Sequence, residues 1–373
     1  MLIDVDSGSR ITRPAHVDPY DYLDAARGVD ALGQDRLQRT REVAGRMSET
    51  SAGFRSAVAD AVGQERYAAY RSGVADALGR LRATADTLPR DVDGFERLDA
   101  QRLRLREEVG ALRAELGIDP AALVGISAER QELCQSALAF PEPLDGATPS
   151  LVVPGAVPSE LLTGRTNPWQ LFEPPYDGSA WDYAWSRRGG IDPILRGVDN
   201  PTTGQVGSLE RTWNDDASDA DYLHLDYHNA VGAFVGMPQT GLVESWVELQ
   251  SIASYHQFFH TDEWGWSDGW GRVGSRVTMQ VVSPEPSGQV GAWALDVQRS
   301  GTDFSDWRLN SYVTGGTYWA HLYSDRVYPA GRTLYVLFGS HEFTHEAVND
   351  VSYNDQVTYE WFIRRIWVRS TGE

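Results

Sequence analysis

The spacing of apolar residues changes once along this chain, from a helical period to strict alternation, and that change limits the fold to two kinds of structure in series. Before about residue 137, Phe54, Val58 and Val62, then Tyr67, Tyr70, Val74, Leu78 and Leu81, recur every three or four positions and so line one face of a helix. Asp18 ahead of Pro19 reads as a helix cap, Pro89 as the close of the alanine-rich stretch, Asp119-Pro120 as a further start, and Ser127 as the cap of one more helix. Between Asp93 and Gly117, Leu98, Leu105, Val109, Leu112 and Leu116 follow one another at 7, 4, 3 and 4 residues, a coiled-coil-like seam of about three heptads. So short a seam needs a partner, either the preceding helices or a second copy of the chain.

Residues 138–160 hold five prolines and two glycines without a period, and read as a connector. Beyond them the period is two. Val277, Met279 and Val281 alternate with Thr278 and Gln280, and Val243, Ser245, Val247 and Leu249 oppose Glu244, Trp246, Glu248 and Gln250. Comparable runs lie at 207–213, 222–235, 292–299, 318–323, 333–338 and 357–369, separated by Gly, Pro, Asn, Asp and Ser. The last run is apolar on both faces, as a strand central to its sheet would be. All thirteen tryptophans fall at or after Trp169, and seven of the eight histidines at or after His224, which marks the same division. The expected fold is therefore an α plus all-β chain in two modules. Residues 1–137 form a helical hairpin or bundle, 138–160 a proline-rich connector, and 161–373 a tryptophan-rich antiparallel β-sandwich or jelly roll.

With 41% hydrophobic residues in 373, both modules have material for a core. The formal charge of −20 argues against nucleic acid as a partner, because phosphate binding draws on clustered Lys and Arg. No stretch approaches the roughly 18 apolar residues of a membrane span. The opening residues, acidic and without an apolar run, do not read as a secretory leader. The expected location is cytoplasmic, with leaderless export or incorporation into an extracellular particle as alternatives. Cys134 is the sole cysteine, so disulfides within the chain and cysteine-based metal sites are excluded. All 33 basic residues are arginine. Arginine-rich codon usage explains this, and so does selection against lysine tagging in an effector or toxin component delivered to a foreign cytosol.

One short motif makes a definite chemical claim. His341-Glu342-Phe343-Thr344-His345 matches H-E-x-x-H, in which two histidines one helical turn apart hold zinc and the glutamate acts as base. Here it follows directly on the strand-like run 333–338. If the strand continues, His341, Phe343 and His345 share one face and Glu342 points away. On the same logic His224, Asp226 and His228 share a face, and with His341 and His345 they form the alternative metal set, zinc being the candidate ion. His256 and His260 share a face in either conformation. Asp215, Asp216, Asp219 and Asp221 crowd one acidic segment, a calcium alternative that lacks the EF-hand order.

The remaining oddity is DEWGWSDGWGRVG, in which Trp264, Trp266 and Trp270 sit among glycines beside Asp262 and Glu263. Aromatic faces beside hydrogen-bonding groups suit sugar rings or a protein hot spot. The sequence is accordingly read as a non-enzymatic recognition or assembly protein. Its partner is a glycan or protein surface, self-association runs through the N-terminal helices, and no cofactor is needed. The alternatives are a metal-dependent hydrolase, using His341, Glu342 and His345 or a strand-borne site including His224, Asp226 and His228, and a lysine-free secreted effector or toxin component.

Overall fold

Capping chemistry sets the helical region. The Asp18 carboxylate accepts from the Tyr20 N–H at 2.8 Å, Asp91 from Gly94 at 2.9 Å and Asp119 from Ala121 at 3.0 Å, satisfying amides that have no intrahelical acceptor. The computed structural model describes residues 4–13, 15–85, 87–89, 91–138, 150–163, 168–188, 194–213, 220–262, 269–283, 289–301, 304–349 and 351–372. In chain order the elements are β1 (Asp4–Ile11), α1 (Pro19–Val62), α2 (Gln64–Ala85), α3 (Val92–Glu115), a 3-10 turn (Pro120–Leu123), α4 (Val124–Leu138), β2 (Ser150–Leu151), β3 (Val153–Pro154), α5 (Ser159–Thr163), β4 (Gln170–Phe172), β5 (Gly178–Arg188), β6 (Ile194–Asn200), β7 (Gln205–Trp213), β8 (Ala220–Gly236), β9 (Gly241–Asp262), β10 (Gly269–Val282), β11 (Gln289–Gly301), β12 (Phe304–Leu309), β13 (Thr317–Tyr328), β14 (Thr333–Asn349) and β15 (Val351–Thr371).

The strands form two sheets. Sheet A is ordered β1-β5-β8-β14-β10-β11-β2, and sheet B β3-β13-β9-β15-β7-β6 with β12 added to β9 and β4 to β15. All pairs are antiparallel except β2 on β11. β15 lies inside sheet B, in keeping with its apolar residues on both faces.

Two findings depart from the sequence reading. Residues 4–11 are a strand, paired along its whole length with β5, so the N-terminal region contributes an edge to sheet A. α4 begins at Val124, which places Ser127 inside the helix, 3% exposed, rather than at its cap.

The helices lie against the sheets. Val43, Ala44 and Met47 of α1 pack with Tyr222, Trp270 and Ala347 on the outer face of sheet A, and Ala25 and Val29 with Ala180, Ala230, Tyr335 and Leu337. Phe95 and Leu98 of α3 pack with Phe259 on sheet B, where Trp307 stacks on Phe95 at 5.2 Å. The seam residues Leu105 and Val109 are buried against Val58, Tyr70 and Val74 of α1 and α2, so the seam finds its partner within the chain.

The sandwich interior has an apolar and a polar half, and β14 shows the switch. Leu334, Val336 and Phe338 join the apolar cluster with Val247, Tyr359 and Trp361. From Ser340 onward the same inward face carries Glu342, Thr344 and Glu346, all 0% exposed. Near the boundary, the Asn229 side chain of β8 crosses to sheet B, accepting from the Gly207 N–H at 2.7 Å and donating to its carbonyl at 2.8 Å. Gly207 has φ of 144°, and a Cβ there would lie 2.4 Å from the Tyr359 carbonyl, so the close approach requires glycine.

Candidate functional site

The H-E-x-x-H residues are extended. β14 runs antiparallel to β8 with His341 opposite His228, Phe343 opposite Asp226 and His345 opposite His224. Strand alternation then turns the histidines and Asp226 to the face beneath α1 and α4, and Glu342 to the interior. The alternative hydrolase with Glu342 as base is thereby overturned, since the acid is on the opposite side of the strand from both imidazoles.

On the helix-covered face three imidazoles meet one carboxylate. His224 Nε2 lies 2.5 Å and His345 Nε2 3.5 Å from Asp226 Oδ2, and His341 Nε2 is 2.8 Å from Oδ1. The His224 and His345 rings stack with centroids 4.1 Å apart. His228, grouped with them from the sequence, shares the face but not the cluster. Its Nε2 pairs with Thr278 Oγ1 at 2.9 Å, and its Nδ1 lies 3.7 Å from Asp182, which Arg36 of α1 approaches at 3.3 Å. Burial by itself raises the Asp226 carboxyl, but attraction by His224 and His345 and the hydrogen bonds of His224 and His341 outweigh it and hold it well below the usual range. Burial pushes His341 and His345 down to about 4 and keeps His228 well below its ordinary value. Imidazole nitrogens gathered on one carboxylate are a donor set for a d-block cation.

The inward face of the same strand holds the reverse chemistry. Ser208 donates to Glu342 at 2.9 Å, Thr344 to Glu210 at 3.1 Å and Thr212 to Glu346 at 3.0 Å, so three successive rungs join β14 to β7 across the sandwich. Asp355 of β15 accepts from the Phe259 N–H at 2.9 Å and pairs with His260 Nε2 at 2.8 Å. Burial pushes Glu342 and Asp355 up to about 8 and Glu210 and Glu346 well above the ordinary carboxyl range. Burial thus favours the protonated form of these carboxyls, which serve as a dry hydrogen-bonding seam.

The outer face of sheet B away from α3 is different, because it is half open. Glu244, Trp246 and Glu248 of β9 alternate outward beside His321 and Tyr323 of β13 and Arg365, Trp367 and Arg369 of β15. Trp246 and His321 stack at 4.0 Å and 9°. Glu244 accepts from His321 at 2.8 Å, Arg369 at 2.7 Å and Tyr323 at 3.1 Å. Burial alone raises Glu244, but these bonds and the Arg369 charge take it down to about 2. Arg369 also covers the Trp169 ring at 4.3 Å, and Arg365 the Trp367 ring at 5.3 Å while pairing with Glu248 at 2.5 Å. Tyr323 is 39% exposed, and Trp169, Trp246 and Trp367 are half-buried. The alternation Glu244-Trp246-Glu248 is visible in the sequence; that Trp367 and His321 stand beside it depends on strand register, which is not.

The tryptophan-rich segment fares unevenly. Trp270 is 5% exposed under α1, because β10 turns it toward Val43, Ala44 and Met47; it is a packing residue and not part of a ligand platform. Trp264, Trp266 and Glu263 lie outside the described residues, as do Asp215, Asp216 and Asp219 of the calcium alternative. Asp262 ends β9, paired with Val351.

No protein-family model and no curated protein matches this chain. Likeness to solved structures is faint. An isomalto-dextranase of Arthrobacter globiformis T6 complexed with panose is 11% identical, over 61% of this chain and 42% of that one, at a TM-score of 0.14. TmCBM61 in complex with β-1,4-galactotriose is 10% identical over 45% of this chain and 86% of its own, at 0.11. The C-terminal family 22 carbohydrate binding module of Clostridium thermocellum Xyn10B is 15% identical over 48% and 86%, at 0.09. Likeness at these TM-scores carries no argument, so function has to be read from the residues.

Proposed function

We propose that this chain is a non-catalytic recognition protein whose half-open sheet B face binds a neutral glycan. The observation that carries the reading is the Trp246–His321 stack set on the Glu244–Arg369 pair. A flat aromatic surface receives the apolar C–H face of a sugar ring, while guanidinium and phenol groups beside it, held in place by the buried Glu244 and Glu248, meet the hydroxyls. Two acids, Glu244 and Glu248, are matched there by two arginines, Arg365 and Arg369, which suits an uncharged ligand better than a polyanion. Trp264 and Trp266 are the second candidate contact.

The test is a glycan array followed by titration calorimetry with the strongest neutral oligosaccharide. Trp246→Ala is expected to weaken binding about 10-fold or more, the cost of removing a central aromatic contact, with the unfolding midpoint nearly unchanged. Full affinity in Trp246→Ala together with loss in Trp264→Ala or Trp266→Ala moves the site to the tryptophan-rich segment. Absence of any glycan ligand, with a protein captured through the same face, replaces the ligand class.

A further inference from the structure

We infer that His224, Asp226 and His345, with His341 as fourth donor, form a closed site for a divalent d-block cation, zinc being the best fit. Three observations on different levels agree. The ligand atoms of His224, Asp226 and His345 all lie within 4.8 Å of one another. An ion bonded at about 2.0–2.2 Å to each donor needs separations of about 3.2–3.6 Å, which small rotations of these side chains supply. His341 Nε2 stands 2.8 Å from the other carboxylate oxygen, outside that three-residue group, and joins the same centre as a fourth nitrogen on rotation of its side chain.

The donor types are also selective. Imidazole nitrogens with a single carboxylate suit zinc and its neighbours, whereas calcium and magnesium take oxygen sets. Coverage decides the role. The four side chains are between 2% and 13% exposed, roofed by α1 and by α4, whose Arg130 donates to the Val348 carbonyl. A centre with no open position holds structure and performs no hydrolysis. Its ligands come from β8 and β14, so the ion would tie together two inner strands of sheet A directly beneath the helices.

The second grouping, His260 with Glu346 and Asp355, also has donors within 4.8 Å of one another. There two carboxyls face each other in the dry interior, and a shared proton meets that need without an ion. The two locations are distinguishable by experiment.

Full-length protein produced without a histidine tag and dialysed against a chelator is expected to retain about one zinc per chain by mass spectrometry. His345→Ala should lose the ion, while Asp355→Asn and Glu342→Gln, from the inward faces, should keep it. In case His345→Ala does not fold, wild-type protein refolded from denaturant with cobalt(II) decides. Strong visible bands of four-coordinate cobalt with nitrogen and oxygen donors support the site. Substoichiometric metal in wild-type protein, with no cobalt bands after refolding, overturns it; so does a stoichiometric ion that survives His345→Ala and disappears in Asp355→Asn.

Discussion

Both outer faces of the sandwich carry histidine, carboxylate and aromatic rings at alternate strand positions, yet one is roofed by helices and the other is half open. On sheet A, Asp226 gathers His224, His341 and His345 under α1 and α4. On sheet B, Glu244 gathers His321, Tyr323 and Arg369, and Tyr323 is 39% exposed. What separates them is cover. Both carboxylates are buried, Asp226 7% and Glu244 2% exposed, so the difference lies in the shell around them: helices seal the groups about Asp226, which serve the fold, whereas the rings and arginines about Glu244 keep surface for a ligand.

If this contrast holds, removing the two hubs has unequal cost. Asp226→Ala leaves three buried imidazoles without their partner and is expected to destabilise by roughly 3–5 kcal/mol in urea unfolding, at about 1–3 kcal/mol for each buried polar group left unsatisfied. A loss below about 1 kcal/mol would mean that water reaches the layer, and the distinction between the faces would fail.

The interior between the sheets provides a pH check of opposite sign to that of the open face. Asp355 is raised from 3.8 to about 8, chiefly by burial, so the native state holds a proton that the unfolded chain has released. Its stabilising contribution is complete below the unfolded value, falls as pH rises through the window, and is gone above about pH 8. Asp355→Asn, permanently neutral, should show a shallower fall when unfolding midpoints are compared at intervals from acid to mildly alkaline pH, Glu342, Glu210 and Glu346 supplying the remainder. Glu244 is lowered from 4.5 to about 2, so its contribution of roughly 2–3 kcal/mol is present above the unfolded value and lost as pH falls toward 2. Glu244→Gln should make that acid limb shallower, Asp226 supplying the remainder, and leave the alkaline one unchanged.

How much of this the sequence discloses follows from what each residue signals locally. Caps at Asp18 and Asp119 are local chemistry and are legible, as is the alternation that makes β9, β10 and β14 strands. β1 is not, because DVDSGSRI is short of apolar residues and earns its place only by pairing with β5. The metal-type residues on each of β8 and β14 can be found by alternation, and so can the separation of Glu342 from the histidines. That His345 stands opposite His224 while His228 is drawn away to Thr278 is a matter of register and neighbours, which one sequence does not encode visibly. Trp270 misleads for a related reason. Glycines around it suggest a loop, but they let β10 pack closely, as where a Cβ on Gly271 would meet the Phe258 ring at 2.2 Å.

The smallest predicted effect sharpens the comparison most, because it sets one arginine–carboxylate pair against another. Arg36 reaches Asp182 at 3.3 Å with side chains 15% and 4% exposed, whereas Arg365 reaches Glu248 at 2.5 Å with side chains 40% and 11% exposed. Distance alone would rank the second pair as the stronger. Solvent reverses the order: the Arg365 guanidinium stays largely hydrated and its pairing is screened, so Arg365→Gln should cost well under about 1 kcal/mol of stability. Arg36→Gln strands the buried Asp182 carboxyl, already raised by burial in spite of Arg36, and should cost several-fold more. Arg365→Gln should nonetheless weaken glycan binding by a few-fold, because it removes the cation over the Trp367 ring. A variant that loses stability and keeps affinity would place Arg365 among the supports of the fold and take it off the recognition surface.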